Sequence, residues 1–175
     1  MGFLDNLIGG PQRQQYEDFV NRYDQGSPYS GISNQDAYNR YQEVAPHLPQ
    51  DVYEQAAEET YARMTPQERR EFSEFLHLRA QQQGVNFPDI NRNGIDDRTE
   101  DPRVMAQMTS RMRQQQPGIF DQILGGGRSS GGGGSSIGQM LDNPLAKAAM
   151  AGIAGLALKK MMSGSGSTGG GFGRF

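Results

Sequence analysis

The sequence predicts an all-α fold, in which a small helical bundle of about five helices is followed by a Gly-rich linker and a separate C-terminal helix. Three observations predict this organisation. Apolar residues recur at spacings of three and four between residues 11 and 117, a glycine and serine run follows, and the last apolar stretch is rich in alanine and glycine. Residues 118–175 hold 17 of the 24 glycines, so the composition changes near residue 118.

Four helices are predicted between residues 11 and 83 from residues that satisfy the free amides of a first helical turn. The clearest signal is Thr65-Pro66-Gln67-Glu68, which combines a capping hydroxyl, a proline at the first helical position and a glutamate that reaches back. A looser capping box at Ser33 and Asp36 precedes the second helix. The predicted starts are Pro11, Ser33, Pro49 and Thr65. The first, second and fourth helices are predicted to end at Gly26, Pro46 and Gly84, and Met64 is the last apolar residue of the third.

A fifth helix is predicted after Asp101, with that carboxylate as its cap and Pro102 at its first position. Tyrosines, methionines and aliphatic residues line one face of each helix, as expected of a packed core. The predicted core residues are Tyr16, Phe19, Val20, Tyr23, Tyr38, Tyr41, Val44, Val52, Tyr53, Ala56, Ala57, Tyr61, Met64, Phe72, Phe75, Leu76, Ala80, Val104, Met105, Met108 and Met112.

The chain divides into a head, a linker and a tail. A short apolar turn at the start of the chain, Gly2 to Gly10, is repeated by type at Gly118 to Gly126, and such short turns have to dock on another surface. The predicted segments are an amphipathic turn (1–10), a helical head (11–117), the repeated turn (118–124), a Gly/Ser linker (125–136), an apolar helix (137–163) and a disordered tail (164–175).

The apolar helix, with its hydrophobic residues at 144–162, is too short and too interrupted by Lys147 to be predicted as a membrane span. Large apolar residues lie on one side of it, and Ala148, Gly152, Ala151 and Gly155 form a small-residue side that lets another helix approach closely. The expected partners of residues 144–162 are a second copy of the chain, another protein or a membrane surface. Folding back onto the head is the remaining alternative.

Composition excludes several classes of function. The chain has no cysteine and two histidines, so it offers no disulfide, no thiolate metal site and no cysteine nucleophile. The net charge is −3 and residues 1–117 contain no lysine, which argues against a nucleic-acid partner. No catalytic motif is present, so we expect no enzyme. The first residues lack signal-peptide features, which predicts a cytoplasmic protein, with membrane association as the alternative.

One loop, Asp89 to Glu100, carries a specific chemical pattern. Oxygen-bearing side chains occupy its positions 1, 3, 5, 9 and 12, and Gly94 occupies position 6. Calcium prefers oxygen ligands, and glycine allows the sharp turn that brings alternate side chains onto one ion. The predicted ligands are the side chains of Asp89, Asn91, Asn93 and Glu100, the carbonyl of Ile95, and Asp97 directly or through water.

Residues 89–102, Asp-x-Asn-x-Asn-Gly-Ile-x-Asp running into Glu-Asp-Pro, resemble the calcium loops of bacterial thrombospondin type 3 repeats and, more distantly, of dockerins and EF-hands. The resemblance implies Ca²⁺ binding at an EF-hand-like loop. Asp96 departs from the apolar eighth position of an EF-hand, and residues 84–88 separate the loop from the preceding helix. The alternative is an Asn-Gly turn that only joins two helices. The whole chain resembles a kind of bacterial protein that begins Met-Gly-Phe-Leu-Asp and ends in an Ala/Gly-rich helix, which implies no activity.

Together these features predict a non-enzymatic calcium-binding structural or interaction protein with a tethered association helix. The alternative is a peripheral membrane or envelope-associated factor that uses its apolar helices at a lipid surface. Because two of the ligand positions are neutral asparagines, we expect a weak site, with a Kd on the order of 10⁻⁵ to 10⁻³ M.

Overall fold

The computed structural model describes residues 10–26, 31–82, 84, 101–115 and 143–164. These residues form six α-helices and one 3-10 turn and contain no strand, so the predicted all-α fold is confirmed. The helices are α1 (Arg13–Gln25), α2 (Asn34–Val44), α3 (Gln50–Arg63), α4 (Pro66–Gln82), α5 (Pro102–Gln115) and α6 (Pro144–Gly164), and the 3-10 turn is Ala45–His47. The predicted turns at 1–10 and 118–124, the linker at 125–136 and the tail after residue 164 lie outside the described residues, apart from Gly10.

Helices α2 and α4 begin where their capping signals predict, whereas α1 begins at Arg13, two residues after the predicted Pro11, without a side-chain cap. At the start of α4, the backbone N–H of Glu68 donates to the Thr65 hydroxyl (3.2 Å), and the backbone N–H of Thr65 donates to the Glu68 carboxylate (2.7 Å). This reciprocal pair satisfies two backbone donors that the helix leaves open. The Ser33 hydroxyl accepts from the backbone N–H of Asp36 in the same way at the start of α2 (3.1 Å). Local side-chain chemistry therefore sets these two helix starts.

The inner faces of α1 to α5 form one core together with α6. It contains aromatic residues from four helices: Phe19, Tyr41, Tyr53, Tyr61 and Phe72 are all at most 1% exposed. Most of the predicted core residues are buried. Tyr38, Val52 and Phe75 are partly buried and pack against the others, and Val104 is partly buried without belonging to the core. The amphipathic spacing of the sequence therefore identifies which face of each helix points inward.

Helix α6 is not separate from the head, and that part of the prediction is wrong. Every residue from Leu145 to Leu158 except Lys147 is buried, and α6 packs against α1, α2, α3 and α4. A helix that is apolar on all sides has no polar face that water could solvate favourably, so it is stable only when buried. The inward faces of the neighbouring helices bury it here. Among the described residues, no helix has the length and hydropathy to cross a membrane.

The small residues of α6 allow its neighbours to come close. A Cβ atom added to Gly152 would lie 3.0 Å from the Thr60 Cβ and nearer still to the other Thr60 side-chain atoms. A Cβ added to Gly155 would lie 3.3 Å from the Tyr23 ring. The small-residue side thus serves the close helix approach that its spacing predicts, but the approaching helices are α3 and α1 of the same chain.

Two ion pairs fix the C-terminal end of α6. Lys159 Nζ lies 2.7 Å from the Asp24 carboxylate at the end of α1, and Lys160 Nζ lies 3.0 Å from the Glu59 carboxylate on α3. Exposed pairs of this kind contribute about 0.2–1 kcal/mol each. Their main effect is to favour one register of α6 in the bundle, since they pair each lysine with a different helix.

We predict that Gly152→Ala destabilises the protein. In an exposed helix this change would stabilise by up to about 1 kcal/mol, but here the added methyl group overlaps Thr60, and such overpacking costs about 1–3 kcal/mol. Chemical denaturation measures the free energy of unfolding. Gly155→Ala is the matched control. Its free energy of unfolding is expected to fall by less, because the added Cβ lies 3.3 Å from the nearest atoms of the Tyr23 ring.

The variant Thr60→Ala tests whether this overlap is the cause. It removes the two Thr60 atoms nearest to the new methyl group, so Gly152→Ala is expected to cost at least about 1 kcal/mol less in that background. An equal loss in both backgrounds would contradict the packing of α6 against α3.

Candidate metal loop and the helix that follows it

The predicted calcium ligands lie outside the described residues, so their positions relative to one another are not part of the described structure. This applies to Asp89, Asn91, Asn93, Ile95, Asp97 and Glu100. What the structure describes is the chain on either side of the loop, which is Gly84 after α4 and Asp101 before α5. An ion bound by the loop would affect the rest of the structure through these two neighbouring segments.

Before the loop, α4 ends at Gln82 and the chain turns at Gly84. The φ of Gly84 is +69°, a left-handed conformation that glycine adopts without the steric penalty of a Cβ. The backbone N–H of Gly84 donates to the Gln81 carbonyl (3.0 Å). The predicted helix end is therefore confirmed. Because α4 stops before Asp89, it does not run into the loop as the first helix of an EF-hand does.

After the loop, Asp101 caps α5. One carboxylate oxygen of Asp101 accepts from the backbone N–H of Arg103 (2.9 Å) and of Val104 (3.2 Å). The negative charge is also favourable at the positive end of the helix dipole. The cap predicted from the sequence is thus confirmed, and the last predicted ligand, Glu100, is the residue immediately before it.

Helix α5 is fixed to α3 by a buried face and a polar contact within it. The Tyr61 hydroxyl donates to the Thr109 hydroxyl (3.4 Å), which in turn donates to the Ala106 carbonyl (3.0 Å). Burial raises the pKa of Tyr61 well above its usual value, so this hydroxyl stays protonated and able to donate. The buried residues of α5 are Met105, Ala106, Met108, Thr109, Ser110 and Met112.

The far end of α5 is held by Arg113. Its guanidinium lies 4.6 Å from the centre of the Tyr53 ring and donates to the Leu48 carbonyl (3.2 Å). The Tyr53 hydroxyl in turn lies 3.0 Å from the Tyr41 hydroxyl in the core. These contacts connect α5 to α2 and α3. Sequence reasoning missed them, because the helical spacing of the tyrosines predicts burial but not which polar partner each hydroxyl or ring will meet.

The described residues contain no group of three or more histidine or acidic side chains that could hold a metal ion. Comparison of the chain with protein-family models, with curated proteins and with solved structures finds no match. The features of this chain that point to a site are its own: the ligand pattern of residues 89–100 and the capped, packed helix that follows.

We predict that Asp101→Ala lowers the free energy of unfolding by about 0.5–2 kcal/mol, because two amides of α5 lose their acceptor. Denaturation should be measured with a chelator present, so that no metal contributes. Asp101→Asn is the matched control: its side-chain oxygen can accept the same hydrogen bonds, and we expect a loss of only a few tenths of a kcal/mol. A wild-type stability for Asp101→Ala would show that the cap does not stabilise α5.

Proposed function

We propose that the chain is a non-enzymatic calcium-binding structural or interaction protein, in which Ca²⁺ bound by residues 89–100 stabilises the helical bundle. The sequence supplies the ligand chemistry, since five oxygen-bearing side chains and a glycine fall at the positions that a calcium loop requires. The bound ion would hold the ligands of the loop together immediately before α5 begins.

The observation that carries this proposal is the Asp101 cap. Glu100 is covalently next to Asp101, whose carboxylate holds the first turn of α5. An ion that binds Glu100 therefore restrains the chain at the point where α5 begins. Because α5 packs on α3 through a buried face, this restraint acts on the core and not on an isolated loop.

The expected size of the effect follows from mass action. An ion that binds only the folded protein stabilises it by RT ln(1 + [L]/Kd). With a Kd on the order of 10⁻⁵ to 10⁻³ M, 1 mM calcium would stabilise the fold by about 0.4–3 kcal/mol. A site of this strength serves as a structural brace at millimolar calcium, and it would be largely empty at the micromolar concentrations that sensor proteins detect.

The alternative function at a lipid surface has no described feature that favours it. It relied on the apolar helix at 144–162, but the apolar side chains of α6 face the other helices of the bundle. Lys159 and Lys160, which would face lipid headgroups, pair with Asp24 and Glu59. The two short apolar turns at 1–10 and 118–124 lie outside the described residues, apart from Gly10.

We predict that calcium raises the thermal midpoint of the full chain and, at about 1 mM, raises its free energy of unfolding by about 0.4–3 kcal/mol. The variant Asp89→Ala, Glu100→Ala should lose this increase, because it removes the first and the last ligand of the loop. The matched control Glu58→Ala, Glu74→Ala also removes two acidic side chains, which are exposed on α3 and α4, and should keep the increase.

Two results would contradict the proposal. One is an unchanged melting midpoint of the wild-type chain between chelator and 5 mM calcium. The other is an equal increase in the loop variant and in the control variant, which would mean that calcium acts on surface charge in general. Isothermal titration of the same proteins gives the stoichiometry, for which we expect one ion per chain.

A further inference from the structure

Helix α6 is held in the bundle by non-covalent contacts, and the chain that joins it to α5 is long. Residues 116–142 separate the end of α5 from the start of the described segment that contains α6. Their sequence includes the Gly/Ser run that predicts a flexible linker, and the protein has no cysteine that could cross-link the helix in place. The covalent connection therefore favours the chain's own α6 only through the effective concentration that it gives this helix.

The contacts of α6, by contrast, are specific. Gly152 lies against Thr60 of α3, and Gly155 lies against the Tyr23 ring of α1. Lys159 pairs with Asp24 of α1. Together these contacts define one position and one register for an Ala/Gly-rich helix in the groove formed by α1, α2, α3 and α4, which we call the α6 groove. An α6 helix from another copy would satisfy each of them equally.

We propose that the α6 groove accepts helix α6 of a second copy of this chain, so that two chains form a dimer by exchanging their α6 helices. The contacts of α6 described above would all be kept in such a dimer, with their two partners on different chains. Exchange of identical elements is a low-cost route to a dimer for this reason. The proposal does not depend on calcium binding, because neither α6 nor its groove includes residues of the loop.

The concentration at which exchange occurs follows from the tether. A flexible linker holds its own helix at an effective concentration on the order of 1 mM. A second copy competes equally only when the protein itself approaches that concentration. At about 10 µM, on the order of 1% of the grooves would hold a foreign helix. Because α6 is buried in the core, exchange also requires unfolding, so the state formed during folding persists afterwards.

The ion pairs provide a direct test with the unmodified sequence. Lys159 and Asp24 are close enough for a carbodiimide to join them through an amide bond, and so are Lys160 and Glu59. Equal amounts of ¹⁵N-labelled and unlabelled chain are unfolded together, refolded together at about 10 µM or about 1 mM, and then cross-linked. Mass spectrometry identifies joined peptides that contain one heavy and one light partner, which form only when the two residues come from different chains.

We expect mixed cross-links to make up roughly a quarter of the Asp24–Lys159 and Glu59–Lys160 products after refolding at about 1 mM, and below about 1% after refolding at about 10 µM. Sedimentation of the 1 mM sample after dilution should show a dimer. The control is a mixture of heavy and light chains that were refolded separately at 10 µM and then combined at 1 mM. Mixed cross-links at the control level in the co-refolded 1 mM sample would overturn the proposal.

Discussion

The structure depends on the burial of α6. This helix is apolar on every side, so it is stable in water only when other helices cover it completely, and α1, α2, α3 and α4 share that task. Those helices need α6 equally, because their aromatic inner faces would otherwise be exposed. Gly152 and Gly155 make the arrangement compact, since a larger side chain at either position would push α3 or α1 away from the core.

Helix α3 joins this core to the candidate calcium loop. Two consecutive residues of α3 face different neighbours: Thr60 lies against α6, and Tyr61 contacts Thr109 of α5. Helix α5 begins directly after the loop, at the Asp101 cap. The helix that follows the loop, α5, therefore packs on α3, and α3 in turn packs on α6. For this reason we expect an ion bound at the loop to stabilise the whole bundle and not only the residues around it.

The parts of this fold that the sequence predicts are local. Ser33, Thr65 and Asp101 predict helix starts because the side chain of each accepts a hydrogen bond from a backbone N–H two or three residues later. Gly84 predicts a helix end because of its own backbone conformation. The position of α6 was not predictable in this way, since Gly152 meets Thr60 across a linker whose sequence carries no information about where the helix docks. The contact of Arg113 with Tyr53 escapes prediction for the same reason. For the candidate site, the sequence predicts the ligands and the Asp101 cap of α5, and the structure adds the packing of α5 against α3.

The most direct test of this account is the stability of a chain that ends at residue 142 and therefore lacks α6. Circular dichroism would follow its thermal unfolding beside that of the full chain, and near-ultraviolet spectra would report the packing of the buried tyrosines. We expect the shortened chain to lose cooperative unfolding and its tyrosine signal, because α1 to α4 then have no common core to pack on. A cooperative transition and a native-like tyrosine spectrum in the shortened chain would contradict the central role of α6.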